Sequence, residues 1–137
     1  MSFVVDASIA LAWCFEVERT QTIMELLYRL GEKGAYAPLL WPLEALNGLL
    51  MAQRRKRIHA QEAVELALFL RALPVTLDAE TTEHAWTITA ELASRHHLSV
   101  YDAAYLELAQ RRKLPLATLD RALIRAAKAV GTTVLGT

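Results

Sequence analysis

The sequence lacks several features that would each point to a particular class of protein. It has one cysteine, Cys14, so it has no internal disulfide framework and suits a reducing compartment. Its 5 glycines form neither GxGxxG nor GxxxxGK, which excludes the two common phosphate-binding loops of nucleotide-binding proteins. No apolar run approaches the ~18 residues of a membrane span, and no basic segment precedes the first apolar residues. We therefore expect a soluble, cytoplasmic protein without a membrane segment.

The charge balance lacks an excess of either sign. The chain has 15 basic and 15 acidic residues and a formal net charge of zero, so binding to nucleic acid requires a local basic patch. The densest basic run contains Arg54, Arg55 and Arg57 and closes a predicted helix. Because the helix dipole also favours cations at this end, the run has two interpretations, an RNA-binding patch or a solvated helix end.

Short apolar strands alternate with helical patterns along the whole chain. Strands are predicted at residues 3–5, 35–37, 75–77, 116–119 and 132–135. Helices are predicted between them, at about 8–15, 20–33, 42–57, 60–73, 80–96, 101–112 and 121–129. Strands that alternate with helices pair in parallel through right-handed crossovers. The sequence therefore predicts one α/β domain over residues 1–137, with three α/β/α layers around a small parallel sheet.

Four carboxylates stand where an apolar run ends and a helix begins: Asp6, Glu44, Asp102 and Asp120. Open parallel sheets bind ligands beyond the carboxyl ends of their strands, where the strand order reverses. Like charges gathered in a poorly solvated cleft destabilise one another unless a cation is present. Mg²⁺ prefers carboxylate oxygens and commonly bridges to phosphate. The four acids therefore predict a metal-dependent phosphodiester site.

Each acid also has a purely structural interpretation. Aspartate accepts well from the free N–H groups at a helix start, so Asp6 and Asp120 are also predicted caps. The segment Ser99–Asp102 resembles a capping box, and Glu44 lies in a first turn, where the dipole favours negative charge. Asp78 closes a strand as well, so the pattern alone does not separate it from the other acids.

Three polar residues accompany the acids. Ser8 and Thr118 each stand two residues from an aspartate, where a hydroxyl can orient a carboxylate or a water, or simply cap a helix. Asn47 follows Glu44 by three residues and shares its helix face.

Four segments together resemble the motifs of PIN domains, in order and over nearly the whole chain. They are Val4–Ser8, Trp41–Asn47, Leu98–Tyr105 and Leu116–Asp120, of which the third is the most distinctive. The resemblance implies a Mg²⁺- or Mn²⁺-dependent endoribonuclease and, at this length, the VapC-type toxin of a toxin–antitoxin pair.

By position, the resemblance assigns catalytic roles to Asp6, Glu44, Asp102 and Asp120, and supporting roles to Ser8, Asn47 and Thr118. It gives Asp78 no catalytic role. Because Mg²⁺ binds through a few carboxylates and keeps several waters, we expect Asp6 with Asp102 or Asp120 to hold the metal directly. Glu44 is expected to bind it through water or to position the attacking water.

The toxin interpretation implies an RNA substrate, a small antitoxin encoded next to this chain, and a homodimer. With 54% apolar residues, the chain is expected to leave an exposed patch for the antitoxin, and the leucine-rich segments 23–30 and 49–51 are predicted to form it. Three alternatives stay open: a PIN nuclease that is not a toxin, a doubly wound phosphatase or phospho-acceptor domain, and a non-catalytic interaction module.

Overall fold

Five short strands and eight α-helices alternate along the chain in a computed structural model that describes residues 1–137. The strands are β1 (Val4–Val5), β2 (Ala35–Pro38), β3 (Val75–Asp78), β4 (Leu116–Ala117) and β5 (Val134–Leu135). The helices are α1 (Ala7–Cys14), α2 (Gln21–Lys33), α3 (Trp41–Arg54), α4 (Ala60–Ala72), α5 (Thr81–His84), α6 (Ala90–His96), α7 (Val100–Arg112) and α8 (Arg121–Ala129). A 3-10 turn spans Glu16–Glu18, and a π-helical segment, Ala85–Thr89, joins α5 to α6.

The sheet is parallel throughout, in the order β3-β2-β1-β4-β5. The chain adds strands on one side of β1 and then returns to the other side, so the strand order reverses between β1 and β4. Right-handed crossovers then place α1–α4 on one face and α5–α8 on the other. Contacts agree with this division, since α1 packs on α2 and α3, while α7 packs on α6 and α8. The predicted three-layer α/β/α fold is confirmed.

A single core of 32 buried residues takes side chains from the sheet and from both helix layers. The central strand β1 is wholly buried, as its all-apolar sequence predicts for a parallel strand covered on both faces. Cys14 is also buried, and this burial raises the pKa of its thiol to about 11. The thiol is therefore a small buried hydrophobic group.

Several predicted element boundaries are wrong. The third helix ends at Arg54 instead of residue 57, because Lys56 takes a left-handed backbone (φ 61°) and the Arg57 N–H turns back to the Ala52 carbonyl at 2.9 Å. The helix predicted at 80–96 is divided by the π-helical segment. The fourth strand ends two residues early, because the Leu119 N–H bonds to the Ser8 hydroxyl.

The predicted antitoxin patch is corrected in part. The apolar face of α2 is not exposed, because Ile23, Leu26 and Leu30 are buried in the core, and so is Leu49 of α3. An exposed apolar groove lies instead between α3, α4 and β3, with a volume of about 570 Å³. None of the helices combines the length and apolar content needed to cross a bilayer.

Candidate active site

Asp6 and Asp120 lie where the strand order reverses. Asp6 directly follows β1, Asp120 lies three residues beyond β4, and the two strands are paired. Asp6 caps α1 by accepting from the Ile9 N–H at 3.1 Å, and Asp120 caps α8 by accepting from the Leu123 N–H at 2.8 Å. Both aspartates are thus caps, and because β1 and β4 are neighbouring parallel strands, both lie at the same edge of the sheet.

Two hydroxyl groups bind Asp6 to the segment that carries Asp120. The Ser8 hydroxyl donates to Oδ1 of Asp6 at 2.6 Å, and the Thr118 hydroxyl donates to Oδ2 at 2.5 Å. Each hydroxyl accepts a backbone N–H in turn, from Leu119 and Asp120 respectively. Because a hydroxyl has a single proton, these backbone bonds leave both protons directed at Asp6. The carboxylate is therefore held in one orientation.

Glu44 and Asp102 come from opposite helix layers. Glu44 lies in the first turn of α3 and Asp102 in the first turn of α7, where the Ser99 hydroxyl accepts the Asp102 N–H at 3.0 Å as the predicted cap. The hydroxyl of Tyr105 donates to Oε1 of Glu44 at 2.6 Å. Tyr105 was not among the predicted site residues, although its spacing of three from Asp102 on a helix was the available signal.

The four acids lie close enough to affect one another's ionisation. Asp102 interacts electrostatically with each of the other three. Burial raises the pKa of Asp6 to about 6; the charge of Asp102 adds to this rise, and hydrogen bonds to Asp6 oppose it. Burial also raises the pKa of Glu44, where the Tyr105 bond opposes it and the Asp102 charge adds to it. Burial and then the charge of Asp120 raise the pKa of Asp102. Each of these three carboxylates is therefore harder to ionise than in water.

The Tyr105 phenol stays protonated in this environment. Burial, the bond to Glu44 and the surrounding negative charge raise its pKa far above the usual range. The hydroxyl is therefore a permanent donor toward Glu44.

The donor set suits a hard cation held with water. No three of the four acids bring their ligand atoms within 4.8 Å of one another; the group that does so is Glu80, Glu83 and His84. Mg²⁺ uses one or two carboxylates and keeps several waters, so the wider spacing is compatible with it. The Glu80 group is exposed, and Arg111 Nη1 lies 3.8 Å from Glu80, where its charge disfavours a cation.

Asp78 belongs to a different cluster. Both of its carboxylate oxygens accept from Arg111, at 3.1 and 2.5 Å, and Arg111 also bonds to the buried Glu107. Burial alone would raise the pKa of Asp78, but the Arg111, Glu80 and Thr81 bonds outweigh it and hold the pKa below 3.8. This network joins β3 to α7 and lies at the edge strand, away from the reversal point.

A cleft of about 370 Å³ is lined by one of the four acids, Asp120, and by part of the basic run. Its lining includes Ser8, Asp120, Arg55 and Arg57. Arg54 is exposed and does not line the cleft. Two of the three arginines predicted to bind RNA thus share a cleft with Asp120.

The cleft also contains an opposing charge. Arg57 stacks over the Phe15 ring at 4.4 Å, and its Nη2 lies 3.6 Å from the carboxylate of Glu18. Glu18 itself lines the cleft. Asn47, the third supporting residue, is exposed one turn beyond Glu44 and makes no side-chain hydrogen bond within the chain.

Comparison with known proteins agrees with the four motifs. The family model described as the PIN domain matches residues 3–129. The chain belongs to the PIN-domain family. This PIN domain is 35% identical over 127 residues to ribonuclease VapC3 of Pyrobaculum aerophilum, a match that covers 90% of this chain and 92% of the relative. The family predicted from the sequence is therefore confirmed.

Solved structures show the same fold. PAE2754 of Pyrobaculum aerophilum aligns with a TM-score of 0.71 at 24% identity, over 98% of this PIN domain and 83% of that chain. VapBC2 of Rickettsia felis, bound to a promoter DNA fragment, aligns at 0.66 and 15% identity, over 98% and 97% of the two chains. FitAcB of Neisseria gonorrhoeae aligns at 0.66 and 16% identity, over 99% and 97%. At these identities the structures support the fold alone.

Proposed function

We propose that this PIN-domain protein is a divalent-metal-dependent endoribonuclease of the VapC toxin type, acting in the cytoplasm as one domain over residues 1–137. The observation that carries the proposal is the convergence of four acids at the strand-order reversal, with the pKa of Asp6 raised to about 6. Acids with raised pKa values in one cleft are typical of a site completed by a cation. The 35% identity to a VapC ribonuclease supports the same activity.

The roles follow from the contacts. Asp6, Asp102 and Asp120 would hold Mg²⁺ or Mn²⁺, directly or through the waters that the ion keeps. Ser8 and Thr118 fix the orientation of Asp6. When bound, the cation would neutralise charge that develops on the phosphodiester and lower the pKa of its water. Glu44 would position the attacking water through the carboxylate oxygen that Tyr105 does not occupy. Asn47, exposed on the same face of α3, would contact the substrate.

Arg55 and Arg57 would bind phosphates of the RNA beside the acids. They line the cleft that begins at Asp120, and guanidinium groups bind phosphate through paired donors. Arg54 has less support, because it lies outside this cleft.

Cleavage of RNA with and without metal tests the activity. We expect the purified chain to cleave RNA with Mg²⁺ or Mn²⁺ and to be inactive in chelator. Asp102→Asn should abolish cleavage. Asp78→Asn, at the end of β3, should retain cleavage in the folded protein. Cleavage that persists in chelator would contradict the proposal. A phosphatase would instead hydrolyse p-nitrophenyl phosphate, and a non-catalytic module would attack neither substrate.

We further propose a small antitoxin and a homodimer as partners. The Rickettsia felis neighbour is a VapBC assembly, and an unrestrained ribonuclease would damage its host. We assign the apolar groove between α3, α4 and β3 as the binding site of an apolar antitoxin segment. The face of α2 that was predicted to bind it is buried. Its exposed residues include Leu46, Val64 and Leu68.

Expression in cells tests the partners. This chain alone should arrest growth, and the neighbouring small reading frame should relieve the arrest and co-purify with it. Leu68→Glu should weaken that relief while leaving RNA cleavage intact. If Leu68→Glu instead splits a dimer and relief is unchanged, the groove joins two copies of this chain. A chain that is harmless at high expression would contradict the toxin assignment.

A further inference from the structure

Tyr105 and Glu44 form a contact between the two helix layers at the candidate site. Tyr105 belongs to α7 and Glu44 to α3, and the residues are 61 positions apart in sequence. Their bond, at 2.6 Å, is the only hydrogen bond in the chain that joins these two helices. Tyr105 is 1% exposed, so its ring is fixed by packing and its hydroxyl has no water to bond instead.

The bond to Tyr105 fixes the orientation of the Glu44 carboxylate at the candidate site. A glutamate side chain has three rotatable bonds, which sample many orientations unless a contact fixes them. The Tyr105 hydroxyl donates to Oε1, and this bond fixes the direction in which the other carboxylate oxygen of Glu44 points. Tyr105 also lies three residues after Asp102, on the same face of α7. This face therefore carries both the Asp102 carboxylate and the hydroxyl that orients Glu44.

We propose that Tyr105 is a positioning residue for the nuclease reaction, which holds Glu44 against the proposed metal and water site. This inference rests on the proposed function. It adds a residue that contacts neither substrate nor metal and acts only through Glu44. Outer partners of metal-site carboxylates typically change metal affinity or activity by about 10–100-fold, and we expect Tyr105→Phe to lower kcat by about 10-fold or more with little change in KM.

A double-mutant cycle tests whether Tyr105 acts through Glu44. The variants are Tyr105→Phe, Glu44→Ala and the double variant, with Tyr36→Phe as the matched control. Tyr36 is partly buried and its hydroxyl makes no hydrogen bond in the chain, so its loss should leave kcat unchanged. We expect the double variant to be no slower than Glu44→Ala alone, because the phenol has no effect once its partner is gone.

A second readout does not depend on cleavage. Mn²⁺ binding to each chelator-treated variant, measured by calorimetry, should show the same coupling: a loss in Tyr105→Phe that disappears in the Glu44→Ala background. Additive losses in both readouts, or wild-type kcat in Tyr105→Phe, would overturn the inference. The cycle could also show that Tyr105 and Glu44 are coupled in Mn²⁺ binding although the wild type cleaves no RNA. That outcome would contradict the proposed function while supporting the role of Tyr105.

Discussion

At the residue scale, Asp6 is the clearest case of a group whose burial opposes its ionisation. It is 5% exposed, yet it accepts hydrogen bonds from Ser8, Ile9 and Thr118. A carboxylate has about four lone-pair positions, so these three donors leave about one for a further ligand. The geometry therefore suits a residue that binds a cation through one oxygen lone pair while the fold controls the others.

The raised pKa of Asp6 predicts how stability depends on pH without metal. Burial raises the pKa of Asp6 from its ordinary value of 3.8 to about 6. The stability that the bound proton contributes is therefore complete below about pH 4 and is lost as pH rises through 6. The loss is on the order of 3 kcal/mol, at about 1.4 kcal/mol per pKa unit. Urea unfolding in chelator between pH 4 and 8 should show this decline in the wild type.

Asp6→Asn is the matched variant for that measurement. Asparagine caps a helix about as well as aspartate, so α1 keeps its cap while the titrating group is removed. The variant should show a shallower decline, with the remainder due to Glu44 and Asp102, whose pKa values are raised in the same direction. Equal slopes in the two proteins would mean that Asp6 is not the titrating group.

At the element scale, the end of α3 decides which basic residues face the cleft. Because the helix stops at Arg54 and the backbone reverses at Lys56, Arg55 and Arg57 turn toward the cleft and Arg54 does not. The Arg55→Gln/Arg57→Gln protein should bind RNA more weakly, and its log–log salt slope should be shallower by roughly 0.7 per lost phosphate contact. Arg54→Gln should leave the slope unchanged, and an equal effect of all three substitutions would contradict a role for the cleft.

The 3-10 turn between α1 and α2 carries a charge that opposes RNA. Glu18 lies in the cleft and contacts Arg57, so a phosphate would have to displace it. Glu18→Gln should therefore tighten RNA binding a few-fold at low salt. Because both partners are more than 40% exposed, the pair contributes little to folding, and the melting temperature should hardly change. Unchanged or weaker RNA binding would mean that Glu18 does not compete with phosphate.

The strand ends show how far the sequence predicts the site. Asp6, Asp78 and Asp120 each close or follow an apolar run, and sequence patterning treats them alike. The sheet order separates them, because β1 and β4 are neighbours while β3 is the edge strand. Strand order depends on which crossovers the whole chain makes, so it cannot be obtained from local patterns. In the sequence, only the resemblance to PIN domains sets Asp78 apart from the other acids.

Other features had weak local signals or none. The helix stop at Lys56 uses a left-handed lysine, where the usual glycine signal is missing. The π-helical segment at 85–89 has no breaker residue. The α2 leucines were predicted to be exposed because an amphipathic pattern shows which residues share a face, but not what covers that face.

At the scale of the whole molecule, metal binding should stabilise the fold. A ligand bound only by the folded state contributes about 2.7 kcal/mol at 100 times its Kd. Mg²⁺ or Mn²⁺ should therefore raise the melting temperature of the wild type, and Asp102→Asn should lose most of that rise. Glu83→Gln is the control, since it alters the exposed Glu80 group and leaves the four acids intact. A rise lost only in Glu83→Gln would place the cation at that group.

The bond from Thr118 to Asp6 determines when the acidic site assembles during synthesis of the chain. The two residues are 112 positions apart, and β4 has to pair with β1 before Asp6 gains its hydroxyl partner and its neighbour Asp120. A ribosome must therefore add more than one hundred residues after Asp6 before these parts meet. A nascent chain that has not yet released Thr118 and Asp120 from the ribosome therefore lacks the assembled acidic site.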